Sequence, residues 1–348
     1  MDAANAQAWP TTQKERLEIN RMEREREKAE KKAQQEREKK RAEAAAKPKP
    51  APTPEEMPSV WDVIEVASPD PLNPKVPFYI RPPAGYRASE LNQMHRVLVL
   101  LTFYQESGIK VLKRSAEYQQ IADERGWFMI APTFRMNRDD ARNRAKSYYY
   151  PETWSGKAVL QALDEIAKRY PVDGHRLFVS GLSGGAQFAH RFALWAADRV
   201  EAAAVNSCGW FDEPGPSARK VAWVITVGES DPILPESLDF TEKLRAQGAT
   251  PVLRTYLGML HEDAPRVNAF CGRFLAERDD ATREFLGKSV EEPAGWKYNV
   301  PASHPFVGDR RDGIYYANGS GTLEVIPEQS RIFLPSGAMA ELWGQSAE

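Results

Sequence analysis

The chain has 348 residues, of which 42% are hydrophobic and 28% charged, with a formal net charge of −2. That is room for one large folded domain plus further segments, and a near-neutral balance argues against nucleic acid as a partner. Cys208 and Cys271 are too few for a disulfide framework and are either one bridge or two buried thiols. No apolar run approaches the ~20 residues of a membrane-spanning helix.

At the start, Ala6-Gln7-Ala8 fits a signal-peptidase site with Trp9 as the mature start. Residues 1–13 therefore read as a signal-peptide remnant, which predicts a secreted or periplasmic protein; an ordinary cytoplasmic N-terminus is the alternative. Residues 14–47 are dominated by Lys, Arg and Glu, with pairs such as Glu27–Lys31 and Glu36–Lys40 at helical spacing. No a/d stripe runs through them, so they predict a solvated single helix rather than a coiled coil; an anchor for an anionic surface is the functional alternative. Residues 48–58 are Pro-rich and predict an extended linker.

From 59 to 288 the pattern becomes alternating strands and helices. Phe78–Arg81 reads as a short strand, and Val97–Thr102 as a central parallel strand, being almost wholly apolar. Residues 111–125 carry helical periodicity and stop at Gly126. Trp127–Ala131 is the next strand. Residues 155–169 form an amphipathic helix with Val159, Leu160, Leu163, Ile166 and Ala167 on one face. Strands follow at Arg176–Ser180, Ala202–Asn206, Val221–Val227 and Val252–Leu257, with helices at Gly184–Ala197, 236–247 and 264–277. This alternation predicts an α/β fold with a doubly wound, mostly parallel sheet and helices on both faces. Residues 289–348 break the rhythm and read as a C-terminal extension packed on the domain, with a β-hairpin of Gly313–Tyr316 and Leu323–Ile326.

Residues 181–185 are Gly-Leu-Ser-Gly-Gly, a G-x-S-x-G sequence between the strand RLFVS and the helical segment AQFAHRFALWAA. A strand-to-helix turn this tight strains the serine and tolerates only small neighbours. It presents the Ser183 hydroxyl at a helix N-terminus, where negative charge is stabilised. A serine hydroxyl needs a base. His95 and His175 precede the serine and His190 lies in the helix after it, which leaves His261 and His304; His261, just beyond the strand VLRTYL, is the better placed. The acid is expected after the strand KVAWVITV, at Asp231 of Gly228-Glu-Ser-Asp-Pro, with Glu229 and Asp212 as fallbacks. Glu262 is expected to face solvent. The oxyanion requires two N–H donors: the backbone of Gly184, and that of Phe103 or Tyr104 in the loop after the central strand. The rings of Phe103, Tyr104 and Trp210 either wall a substrate pocket or belong to the core.

On these residues the chain resembles the secreted esterases of the α/β-hydrolase superfamily, in the branch of polyhydroxybutyrate depolymerase-like and feruloyl esterase-like enzymes. The resemblance covers roughly residues 76–280 and rests on PFYIRPPAGY, YPVDGHRLFVSGLSGGAQFAHRFAL, VGESDP and GMLHE. It implies the α/β-hydrolase fold and ester hydrolysis through an acyl-enzyme, with Ser183, Asp231 and His261 as the triad. It also implies no metal, no cofactor, and a small-molecule or polymer-borne ester as substrate, with short or aromatic acyl groups on polysaccharide or polyester. Such esterases often carry His-Gly after the oxyanion strand, where this chain has Thr102-Phe103, so the second oxyanion donor stays open. Two other readings remain. One is a serine peptidase of the prolyl-oligopeptidase type, which carries a large propeller domain for which the segment before the sheet is too short. The other is a non-catalytic binding protein that keeps the fold.

Overall fold

The computed structural model describes residues 61–87, 94–287, 304–319, 321–324 and 326–347. The expected signal-peptide remnant, charged helix and Pro-rich linker, and the expected joint between domain and extension near 288, lie outside the described residues.

The domain opens on β1 (Asp62–Ala67), which pairs antiparallel with β2 (Lys75–Arg81). Its DVIEVA sequence alternates exposed and buried positions towards its end, as a half-covered edge strand does. The central strand β3 (His95–Leu101) is buried at all seven residues. Successive residues of a strand point to opposite faces, so both faces of the sheet are covered here. Two short helices follow, α1 (Gly108–Arg114) and α2 (Ala116–Arg125). The sequence predicts one helix over 111–125; the break falls at Ser115, whose hydroxyl bonds back to the Val111 carbonyl at 2.6 Å. α2 closes on Gly126 at φ +69°, the left-handed C-terminal cap that glycine favours.

The remaining elements alternate as expected: β4 (Phe128–Pro132), α3 (Ser155–Ala167), β5 (Val172–Leu182), α4 (Gly184–Trp195), β6 (Val200–Asn206), β7 (Ala222–Gly228), α5 (Leu234–Ala246), β8 (Val252–Tyr256) and α6 (Pro265–Gly287). On α3 the buried stripe is Ala158, Val159, Ala162, Leu163 and Ile166. Ala167, assigned to that face from its spacing, is exposed because the helix ends there. The strands form one eight-stranded sheet in the order β1-β2-β4-β3-β5-β6-β7-β8. β2 runs antiparallel to both its neighbours, and β4, β3, β5, β6, β7 and β8 are parallel. All carboxyl ends of the parallel strands therefore lie along one edge of the sheet. No helix among the described residues is long and apolar enough to cross a membrane.

The amino ends of the parallel strands are tied together by buried charge. Arg96 on β3 reaches Glu201 on β6 at 2.5 Å, Asp279 on α6 at 2.9 Å and Asp173 on β5 at 3.5 Å. Asp279 also accepts from Trp127 Nε1 at 3.0 Å and from Arg283 Nε at 2.9 Å.

The C-terminal extension holds a second sheet, with strands β9 (Phe306–Asp309), β10 (Ile314–Ala317), β11 (Arg331–Leu334) and β12 (Gln345–Ser346) in the order β11-β9-β10-β12, and the helix α7 (Gly337–Trp343). The hairpin differs from the expected one. Ile314–Ala317 pairs with Phe306–Asp309, not with 323–326, where Gly321–Glu324 is a 3-10 turn. The reversing turn is Asp312-Gly313, with Gly313 at φ +72°, and Asp-Gly is the stronger hairpin signal. The extension packs on the outer edge of the main sheet: Trp343 Nε1 donates to the Leu253 carbonyl of β8 at 2.8 Å, and Ser336 Oγ donates to Glu277 of α6 at 2.6 Å.

Candidate active site

Ser183 stands between β5 and α4 with φ 55° and ψ −113°, outside the regions L-residues favour. It is held there from both sides: its N–H donates to the Asn206 carbonyl at 3.0 Å, and its carbonyl accepts from Gln187 N–H at 2.9 Å. The flanking glycines leave no room for a side chain. A Cβ on Gly181 would lie 2.3 Å from the Gly185 carbonyl carbon, and one on Gly185 would lie 2.5 Å from the Leu101 oxygen. The packing of the turn against itself and against β3 thus fixes both positions as glycine. Among the described residues, two more carry positive φ without being glycine, Gln105 and Ser207. All three follow the carboxyl ends of the neighbouring strands β3, β5 and β6, and clustered backbone strain of this kind marks functional edges.

Asp231 lies past the end of β7 and His261 past the end of β8, on the same sheet edge as Ser183. His261 Nδ1 meets Asp231 Oδ2 at 2.9 Å. The two loops are stitched together by Ser230 N–H to the Met259 carbonyl at 3.0 Å and Glu229 N–H to the Tyr256 carbonyl at 3.0 Å. Gly228 permits that approach, since a Cβ there would sit 2.0 Å from the Met259 oxygen. Asp231 is 3% exposed. Burial pushes its carboxyl up, but the His261 imidazole and the Ile233 N–H outweigh this and hold it below the ordinary carboxylate range. An ionised carboxylate on Nδ1 fixes the tautomer that leaves Nε2 free.

The other expected residues are placed elsewhere. Glu229 accepts from Thr255 at 2.9 Å and is exposed, as is Glu262. Asp212 is paired with Arg191 at 2.7 Å, and its N–H donates to His190 Nε2 at 3.1 Å. His190 is fully buried, with Nδ1 facing the Ala186 carbonyl at 3.0 Å, and so braces the loop after β6 from inside. His95 faces the Gly126 carbonyl at 2.7 Å and His175 is exposed. His304 lies against the Phe333 ring in the extension, the two rings tilted at 46° with centroids 5.6 Å apart. Cys208 and Cys271 are both free and buried.

Phe103 and Tyr104 form the turn after β3, closed by Glu106 N–H to the Phe103 carbonyl at 3.1 Å. That bond uses neither the Phe103 nor the Tyr104 N–H, so both stay open as the second backbone donor. Both rings are half-buried, and Trp210 is 40% exposed beneath the guanidinium of Arg142 at 4.5 Å. Tyr104 packs against the hydrophobic core, while Trp210 lies at the surface.

Two features were missed from sequence. Arg114 on α1 binds Glu106 at 2.7 Å and also pairs with Asp263, two residues after His261. One guanidinium thereby links the turn after β3 to the histidine loop, and its plane covers the Phe103 ring at 5.1 Å. Burial raises the Glu106 carboxyl more than the Arg114 pair lowers it. The second feature is the pair Tyr148 and Tyr149, from the loop between β4 and α3, whose hydroxyls rest against Gly184: a Cβ there would lie 2.6 Å from Tyr149 Oη and 3.0 Å from Tyr148 Oη. Only the run Tyr148-Tyr149-Tyr150 hinted at them.

No protein-family model matches the chain, and no curated protein matches it. Among solved structures it is similar to a ferulic acid esterase, at 16% identity over 69% of this chain and 98% of that one, with a TM-score of 0.47. It is likewise similar to a fluorophosphonate-binding serine hydrolase from Staphylococcus aureus, at 16% identity, 63% and 98% coverage and a TM-score of 0.48. A third is an S-formylglutathione hydrolase from Agrobacterium tumefaciens, at 16% identity, 63% and 94% coverage and a TM-score of 0.48. At identities this low and TM-scores under 0.5, the chemistry rests on this chain's own residues. The strand order with its single reversed strand, and the serine elbow after β5, make this chain an α/β-hydrolase in fold.

Proposed function

We propose that the protein is a serine hydrolase acting on carboxylic esters through an acyl-enzyme. Ser183 Oγ attacks the ester carbonyl while His261 Nε2 takes its proton. The same histidine returns the proton to the leaving alcohol, and the sequence repeats with water to release the acid. Asp231 holds the imidazole by Nδ1 and stabilises its protonated form. Gly184 N–H and the Phe103 or Tyr104 N–H receive the oxyanion. The observation that carries the reading is the His261–Asp231 contact at 2.9 Å on the edge that also bears the strained Ser183.

The half-buried and exposed aromatic rings of Phe103, Tyr104 and Trp210 support short or aromatic acyl groups, carried on a small molecule or on a polymer such as polysaccharide or polyester. A flat ring at a rim offers stacking area without closing the site to a bulky alcohol portion.

The test is labelling by a fluorophosphonate probe and turnover of short p-nitrophenyl esters, for the parent beside Ser183→Ala and His261→Ala. Labelling and turnover in the parent, with both lost in the variants, is the expected result. A folded parent that neither labels nor turns over ester overturns it.

A further inference from the structure

Resting on the Ser183 reading above, we infer that the Tyr149 side-chain hydroxyl is a third oxyanion donor, reaching the substrate oxygen beside the Gly184 N–H. The argument is geometric. Tyr149 Oη lies 2.6 Å from where a Gly184 Cβ would stand. Backbone geometry then puts it no more than about 5 Å from the Gly184 nitrogen. An oxygen that accepts from two donors at about 2.9 Å each allows those donors to stand up to about 5.8 Å apart. A substrate oxygen bonded to Gly184 N–H is therefore within reach of the phenol.

The surroundings suit the role. Tyr149 is 7% exposed and Tyr148 fully buried, so the phenols stand where water competes little. Tyr148 donates to the Thr102 carbonyl at 3.1 Å, at the end of the strand that precedes the Phe103–Tyr104 turn. Tyr149 Oη stands beside it, both hydroxyls lying against Gly184. The Tyr148 proton is thus committed to the Thr102 carbonyl. Burial pushes the Tyr149 phenol up to about 12, so it remains a neutral donor throughout the working range. As the Ser183 oxygen bonds to the carbonyl carbon, the π pair moves onto the carbonyl oxygen and the serine proton passes to His261. Rotation of the Tyr149 O–H towards that oxygen then makes a charge-assisted hydrogen bond. The phenol keeps its proton throughout. This donor acts only on the developing charge, so its effect belongs in kcat and not in KM.

The test compares the full-length parent with Tyr149→Phe, using p-nitrophenyl acetate and an aryl trifluoromethyl ketone, which adds Ser183 to give a stable tetrahedral oxyanion. The expected result is a fall of about 10²-fold in kcat, KM within twofold, and ketone affinity weakened in parallel. A kcat within threefold of the parent overturns the inference, as does a rise confined to KM or a fall in kcat with unchanged ketone affinity. If Tyr149→Phe does not fold, 3-fluorotyrosine introduced at position 149 keeps the ring and makes the hydroxyl a stronger donor. Tighter ketone binding is then expected, and equal or weaker binding overturns the inference. A parent that neither hydrolyses ester nor binds the ketone takes the Ser183 reading down with it. An active parent matched by Tyr149→Phe removes this inference alone.

Discussion

His190 shows how one buried side chain sets a pH dependence. Full burial, with Arg191 as neighbour, holds its imidazole well below the ordinary value of 6.5, so it stays neutral in the folded chain. The unfolded chain takes up that proton first as pH falls. Stability is thus unaffected by His190 above about pH 6.5 and declines below it, by up to about 1.4 kcal/mol per pH unit until the folded group titrates. Urea unfolding of the parent and of His190→Gln between pH 7.5 and 5 should show the difference: the parent weakens more steeply on acidification. Parallel pH profiles would remove His190 as the cause. At this scale much of the site is legible in the chain. Ser183 is announced by its glycines, and the loops bearing Asp231 and His261 follow from strand ends and chain order. The tyrosines against Gly184 are not legible, because a residue brought in by a loop from a distant part of the chain leaves no local periodicity. The Arg114 link is hidden for the same reason: it joins the turn after β3 to residue 263 through space.

Among the elements, strands read best where burial is symmetric. β3 has no polar face to mislead, whereas the helical periodicity over 111–125 ran on through Ser115, where a single hydroxyl-to-carbonyl bond divides the helix. The extension reads worst, since its short strands are placed by turns and its expected hairpin took the wrong turn of two. The charged cluster at the amino ends of the strands has a testable weight. Arg96 is 5% exposed, and Glu201 and Asp279 are fully buried. Removing the cation in Arg96→Met strips Glu201, Asp279 and Asp173 of the guanidinium they share and leaves them Arg278, Arg283 and Arg176 alone, which should cost up to about 3–5 kcal/mol in a urea melt. The cluster stands at the strand ends opposite Ser183, so the fraction that folds should keep the parent's kcat. A loss below about 1 kcal/mol, or a kcat that falls with stability, would contradict this division between a stabilising end and a reactive end.

The whole molecule is a parallel sheet that must finish somewhere, and β8 is its last strand. The Leu253 carbonyl there is taken by the Trp343 indole, and the Arg245 guanidinium on α5 reaches across to the Gln329 carbonyl of the extension. An uncovered strand edge presents a row of unpaired backbone groups that another chain can extend. A chain ended after 287 should keep its fold and ester turnover at low concentration. It should also sediment or scatter light as growing assemblies when concentrated, while the full chain does not. Equal behaviour of the two would mean that β8 needs no cover. Assembly of the shortened chain alone would give the extension a colloidal purpose: it sets how crowded a solution the protein can tolerate before copies begin to add to one another.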